Sequence, residues 1–151
     1  MVLLWASAMF GFSTDTFSKD NTAHVIVPAL QWLLPYVSYA TIDFLHVYIR
    51  KSAHVFEYAM LSLLLFRAVR APRAGWRLNW AATALILATA FAASDEIHQV
   101  FVPSRGPSIY DVMLDTAAAA TMQCVIWLWL RRTMHTRAEA APHFPHDTPA
   151  A

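Results

Sequence analysis

The chain alternates long apolar runs with short polar stretches, a pattern typical of membrane proteins. Four apolar runs predict transmembrane helices over about residues 1–12, 52–66, 79–101 and 108–130. The first run is short, since twelve helical residues span roughly 18 Å, whereas the hydrocarbon core of a bilayer is about 30 Å thick. We interpret it as a first transmembrane helix whose start lies further upstream. The alternative is a signal peptide cleaved near Ala6-Ser7-Ala8, although no basic segment precedes it.

The stretch between the first two spans predicts elements that lie at the membrane surface. Residues 13–24 are polar and predict a loop, whereas residues 25–37 are apolar but contain Pro28 and Pro35, which break helices. A short interfacial helix fits this second stretch. Ser38 then predicts the N-cap of a further helix, which runs into the pair Arg50-Lys51 or bends just before it.

These elements predict an all-α integral membrane bundle of about four transmembrane helices. One or two interfacial helices lie between the first and second spans. The membrane domain covers residues 1–132, and residues 133–151, rich in Ala, Pro and His, predict a disordered cytoplasmic tail.

Composition agrees with a membrane protein and excludes several other classes. The chain of 151 residues is 58% hydrophobic and only 14% charged, against about 25% charged residues in average soluble domains. The single cysteine, Cys124, excludes an intrachain disulfide and a metal site built on thiolates. No basic stripe with interleaved aromatic residues is present, so nucleic acid is not an expected partner.

The arginines predict the orientation of the chain in an inner (plasma) membrane. Seven of them follow the second and fourth spans, against four basic residues on the opposite side. The seven are Arg67, Arg70, Arg73, Arg77, Arg131, Arg132 and Arg137, and the four are Lys19, Arg50, Lys51 and Arg105. The positive-inside rule places the larger group in the cytoplasm. Both termini are then cytoplasmic.

Three polar stretches, distant in sequence, fall at one depth of the membrane in this topology, near its outer surface. Their residues are Lys51, His54, Glu57 and Tyr58 at the start of the second span, Asp95, Glu96 and Gln99 at the end of the third, Arg105 in the next turn, and Asp111 and Asp115 at the start of the fourth. Ionisable groups at membrane depth are costly and usually face a partner or a water-filled site. With Arg50 counted beside Lys51 and Arg105, the five acids outnumber the nearby bases by two, which requires shared protons, charged histidines or a bound cation.

We therefore predict a functional site and assign roles within it. Proton transfer is assigned to His54, Glu57, Asp95, Glu96 and Asp111. Substrate binding is assigned to Lys51, Tyr58, Gln99, Arg105 and Asp115, with Lys51 and Arg105 holding an anionic head group.

Two alternatives for the same residues stay open. Polar side chains also join transmembrane helices without further function. Alternatively, His54 and the neighbouring carboxylates hold a divalent cation; no other cofactor is expected. The chain has neither a G-x-S-x-G nor an H-E-x-x-H motif, so familiar nucleophile and zinc-protease patterns are absent.

The polar stretches resemble the VanZ-like family, named for a glycopeptide (teicoplanin) resistance protein. The matching pieces are Arg50-Lys51-x-x-His54-x-x-Glu57-Tyr58, then Asp95-Glu96-x-x-Gln99-x-Phe101-x-Pro103-x-Arg105, then Asp111 followed by Asp115, in the family's order over roughly residues 38–130. The chain departs from the family in having Asp115 where Asn is usual and Ala119 where Gly is usual. The resemblance implies a small multi-pass membrane protein, but it names no reaction.

Two functions follow as hypotheses. The first is a binding or catalytic site, open to the outer membrane face, for an envelope lipid or a lipid-linked cell-wall precursor. The second is a non-catalytic membrane module that alters drug access or assembles with a partner.

Overall fold

The computed structural model describes residues 1–14, 19–102 and 106–139, which form five helices and no strand. The helices are α1 (Val2–Phe12), α2 (Lys19–Leu33), α3 (Tyr39–Arg70), α4 (Leu78–Gln99) and α5 (Ile109–Glu139). The predicted all-α class is confirmed. Within the described ranges, α3, α4 and α5 are long and apolar enough to cross a membrane, and α1 is a shorter apolar helix.

Helix α3 is a single element: the helix after Ser38 runs into Arg50-Lys51, which is one of the two alternatives that the sequence left open, and includes the second span predicted from about residue 52. Its 32 residues contain neither Gly nor Pro, so no residue interrupts the backbone hydrogen bonds. The predicted N-cap is confirmed, since the Ser38 side chain accepts a hydrogen bond from the Thr41 backbone N–H at 3.3 Å. The helix ends at Ala71, which has a positive φ of 49°, just before Pro72.

Helix α2 begins earlier than the sequence predicted. The loop expected over residues 13–24 is wrong from Lys19 onward, because α2 starts there and contains Pro28 in its interior. It ends at Leu33, since the residue before Pro35 disfavours helical backbone. Trp32 and Leu33 are largely exposed, as expected of a helix that lies in the membrane interface.

Helices α4 and α5 follow the predicted third and fourth spans closely at their starts. Helix α5 continues to Glu139, so residues 133–139, which the composition assigned to the tail, are helical. The rest of the predicted tail, residues 140–151, lies outside the described residues.

The core forms where α3, α4 and α5 pack on one another through small residues. Ala84, Ala88 and Ala92 recur at every fourth position of α4 and are fully buried, so one face of this helix is flat and allows close approach. Ala119 on α5 is fully buried as well. Tyr58 of α3 fills the space between these faces.

Helix α1 is attached to the bundle through α3. Met9 is buried in the same core cluster, and the indole N–H of Trp5 donates a hydrogen bond to the Glu57 carbonyl oxygen at 3.1 Å. The end of α1 therefore lies beside the polar stretch of α3.

Candidate functional site

Two pairs of side chains join α3 to α5 at the polar stretch. Lys51 forms an ion pair with Asp111, and Nδ1 of His54 lies 3.9 Å from Oδ2 of Asp115. Lys51 and His54 are three residues apart on α3, and Asp111 and Asp115 are four residues apart on α5, so each pair lies on one face of its helix. The structure thus brings Lys51, His54, Asp111 and Asp115 together from two of the three predicted stretches.

A buried polar contact deeper in the bundle continues the same interface. The Ser62 hydroxyl donates to the Ala119 carbonyl oxygen at 2.9 Å, and Nε2 of Gln123 donates to the Ser62 hydroxyl at 2.8 Å. Contacts between α3 and α5 advance in the same direction along both helices, so the two helices run parallel. Sequence reasoning missed Ser62 and Gln123; both lie on the faces that carry His54 and Asp115, eight residues further along.

The end of α4 supplies the third stretch, with all three predicted residues buried. Nε2 of Gln99 donates to Oδ2 of Asp95 at 3.1 Å and lies 3.4 Å from the Ser13 hydroxyl. Oε2 of Glu96 accepts a hydrogen bond from the backbone N–H of Ser108 at 2.7 Å. Glu96 therefore ties the end of α4 to the start of α5, because Ser108 directly precedes that helix.

Two cavities flank α3 at this level and share Arg50 and His54. The first, of about 220 Å³, lies among α1, α2 and α3, and we call it the apolar-walled cavity. Its apolar lining consists of Met9, Phe12, Ile26, Ile49 and Ala53, and its polar lining includes Glu57, Tyr58 and Asp95. The second, of about 170 Å³, lies among α3, α4 and α5, and we call it the polar cavity. Its lining includes Lys51, Glu96, Gln99, Asp111 and Asp115.

Tyr58 and Asp95 hold buried polar atoms that no residue in the described part of the chain satisfies. The Tyr58 side chain is 1% exposed, and its hydroxyl has no hydrogen-bond partner among the described residues. Oδ1 of Asp95 and Oδ1 of Asp115 also have no hydrogen-bond partner among the described residues. Buried polar atoms of this kind are uncommon and mark a place where a ligand or water belongs.

Negative charge predominates at the site. Five carboxylates line the two cavities, namely Glu57, Asp95, Glu96, Asp111 and Asp115, whereas the described cations there are Arg50 and Lys51. Arg105, which the sequence placed beside them, lies outside the described residues, so its predicted role stays a prediction.

The sequence did not single out the contact of α2 with this region. Thr22 lies 3.2 Å from Nε2 of His46 and accepts a hydrogen bond from Arg50 at 3.1 Å. Arg50 was counted only as a nearby base, although its position four residues before His54 places it on the same face of α3. His46 is fully buried.

A metal site of three or more protein ligands does not occur in the described part of the chain. No three His, Cys, Asp or Glu side chains there are close enough to share an ion. The carboxylates are instead distributed over the two cavities.

Comparison with known proteins gives one match. A family model described as VanZ/LLP1 matches residues 1–131. No curated protein and no solved structure matches the chain.

Proposed function

The chain belongs to the VanZ/LLP1 family of membrane proteins, and we propose that its two neighbouring cavities bind an amphipathic envelope lipid or a lipid-linked cell-wall precursor. The apolar-walled cavity receives the hydrocarbon part of this molecule, and the polar cavity receives its head group. Binding or modification of such a molecule would link the protein to glycopeptide (teicoplanin) resistance, as the resemblance to VanZ implies.

One observation supports this proposal above the others. The two cavities have opposite linings yet meet at the same two residues, Arg50 and His54. A site that only joined helices would need one or two polar pairs, without space beside them. Space lined by apolar residues on one side and by charged residues on the other suits a molecule with both characters.

Arg50 and Lys51 are the residues that would contact an anionic part of the ligand, within a lining in which carboxylates outnumber them. Arg50 lines both cavities, and a guanidinium offers paired donors to a phosphate or carboxylate. Lys51 lies at the polar cavity. An arriving anion would share Lys51 with Asp111, and Arg105 would add a further cation from the following turn.

His54 is the best-placed group for proton transfer. It lies between the two cavities, and the buried carboxylate of Asp115 stands 3.9 Å from its Nδ1. A carboxylate at this distance acts through its charge, which favours a proton on the nearer imidazole nitrogen and leaves the other nitrogen to act as a general base. Glu57 and Asp95 line the apolar-walled cavity beside it and would accept protons there. Asp111 acts by holding Lys51.

A second candidate function rests on a different observation. Several polar groups of the site are already paired with protein groups, as in Lys51 with Asp111, Gln99 with Asp95, and Glu96 with the Ser108 N–H. Such pairing also suits a non-catalytic module that alters drug access or assembles with a partner protein.

Substitution of site residues separates the two functions. Wild type, His54→Ala and Glu96→Gln would be expressed in a teicoplanin-susceptible host and compared for susceptibility and for membrane lipid composition. His24→Ala is the matched control, since His24 is exposed on α2 and lines neither cavity. Loss of the phenotype in the two site variants, with normal expression and the control unchanged, supports the site. An unchanged phenotype in both supports the module.

The proposed orientation in the plasma membrane has its own test. We place the site at the outer face, with both termini and the arginine-rich ends of α3 and α5 in the cytoplasm. A reporter enzyme active only outside the cytoplasm should be active when fused after Arg105 and silent when fused after Arg73. The reverse pattern would move the site to the cytoplasmic face.

A further inference from the structure

The opposite end of the bundle contains a further cavity, with an apolar lining, that is not part of the proposed site. It is a groove of about 410 Å³ between α4 and α5, within the roughly 300–1,000 Å³ range of ligand pockets. Its lining includes Ala81, Ala82 and Leu85 of α4 and Ala120 and Cys124 of α5. We call it the α4–α5 groove. The small side chains leave a channel along the helix interface that faces the surrounding bilayer.

A smaller hollow opens at the arginine-rich end of this groove. It measures about 180 Å³ and is lined by Gly75, Trp76, Trp127, Leu130, Arg131 and Met134. Trp76 and Trp127 line both spaces, so the hollow and the groove are neighbours. Tryptophan is enriched where a membrane changes from hydrocarbon to head groups, which places the hollow at head-group level.

Positive charge at this end is not balanced along the chain. No Asp or Glu occurs between residues 59 and 94 or between residues 116 and 138, although these segments hold seven arginines. Two arginines at this end of the bundle lie over aromatic rings, and one of them, Arg131, lines the hollow. The Arg131 guanidinium lies 5.4 Å from the centre of the Trp127 ring, and that of Arg77 lies 5.2 Å from the centre of the Trp80 ring.

We propose that the α4–α5 groove and its hollow bind one anionic phospholipid. Its phosphate contacts Arg131 and one acyl chain lies in the groove. Fixed cations beside an apolar cleft between membrane helices are the features that recognise anionic lipid head groups. A second copy of the chain is a poorer occupant, because a symmetric contact would bring two sets of these arginines together.

The single cysteine of the chain provides a direct probe of occupancy. Cys124 is exposed and lines the groove, so an acyl chain in the groove would cover its thiol. The purified protein in detergent would be treated with N-ethylmaleimide after addition of phosphatidylglycerol or of phosphatidylcholine with the same acyl chains. We expect phosphatidylglycerol to slow alkylation several-fold at a concentration where phosphatidylcholine has little effect.

Two arginine variants separate a specific head-group contact from general attraction. Arg131→Gln should weaken phosphatidylglycerol protection by about tenfold in lipid concentration, the effect of losing one charge-assisted hydrogen bond. Arg132→Gln removes the same charge from the neighbouring position, but Arg132 lines neither the groove nor the hollow. This control should keep the protection of wild type. If Arg131→Gln is unstable, Arg131→Lys should fold and show intermediate protection.

Native mass spectrometry of the same samples gives an independent readout. Wild type should retain phosphatidylglycerol in preference to phosphatidylcholine, and Arg131→Gln should lose that preference. Equal effects of the two lipids on wild type would overturn the proposal. Equal losses in Arg131→Gln and Arg132→Gln would also overturn it, since the attraction would then depend only on net charge. His54→Ala should leave the lipid protection of Cys124 unchanged, since Cys124 lines the groove and not the proposed site, so the alkylation test is independent of that site.

Discussion

Replacing Asp115 by Asn is expected to make the protein more stable. The Asp115 side chain is 2% exposed, and its Oδ1 has no hydrogen-bond partner among the described residues. Oδ2 lies 3.9 Å from His54, beyond hydrogen-bond distance. The carboxylates of Asp111, Asp95 and Glu96 lie within electrostatic reach. A buried charge with so little compensation costs free energy, and Asn keeps its shape without the charge.

The size of the gain follows from two opposing contributions. Replacing buried ionic groups by uncharged residues of similar volume is neutral or stabilises a protein by up to about 1–4 kcal/mol. Against this stands the attraction to His54, at most about 4 kcal/mol for a charged imidazole at this distance, and less here because His54 is 28% exposed and screened. Relief of repulsion from the neighbouring carboxylates adds to the gain. We expect a net increase of about 1–2 kcal/mol, or a few degrees in Tm for a chain of this size.

Thermal unfolding of the purified protein in detergent measures this difference. Asp111→Asn is the matched control, since Asp111 is 38% exposed and paired with Lys51. Losing this pair should lower the stability by no more than about 1 kcal/mol. The two identical replacements, one helical turn apart, should therefore shift Tm in opposite directions. A lower Tm for Asp115→Asn would show that the attraction to His54 outweighs the cost of burial, and the reasoning above would be refuted.

Three further changes have defined expectations. Tyr58→Phe should leave thermal stability within about 0.5 kcal/mol of wild type, because the Tyr58 hydroxyl is unpartnered among the described residues. A larger loss of stability would reveal a structural partner. A loss of function without a loss of stability would indicate that the hydroxyl contacts the ligand. Ser62→Ala should lower stability by about 0.6–1.7 kcal/mol, measured beside Ser94→Ala, whose hydroxyl bonds only within α4. Arg105→Ala should be unstable or inactive, with a loss of stability of at most about 3–5 kcal/mol. Arg105→Lys should fold but be impaired in function. If Arg105→Ala has the Tm and the phenotype of wild type, Arg105 is not part of the site.

The local rules of helix formation predicted much of the fold from the sequence. The N-cap at Ser38 and the starts of α4 and α5 lie within one residue of prediction. The sequence left open whether the helix after Ser38 bends before Arg50-Lys51. It does not bend there, because charge changes which face of a helix is polar, whereas only backbone chemistry interrupts it. The early start of α2 was missed for the converse reason, since its first residues are polar yet helical.

The candidate site was predicted as a set of residues but not as a set of contacts. Helical spacing placed Lys51 and His54 on one face of α3, and Asp111 and Asp115 on one face of α5. The structure adds that Lys51 contacts Asp111 and that His54 lies beside Asp115. The contacts of Thr22 with Arg50 and of Ser13 with Gln99 depend on how α1 and α2 fold back against the bundle. No periodicity within a single helix contains that information.

The alignment of α3 with α5 is set at a distance from the site. His54 and Ser62 are eight residues apart, as are Asp115 and Gln123, so both pairs lie about 12 Å apart along their helices. The Ser62–Gln123 hydrogen bond is buried among small residues, where a shift would leave polar atoms unsatisfied. Sliding α5 by one turn would break this bond and place Ala119 or Asp111 opposite His54. The buried pair therefore positions the carboxylate of Asp115 beside the imidazole, and a variant that weakens it should disturb the site without touching any residue that lines it.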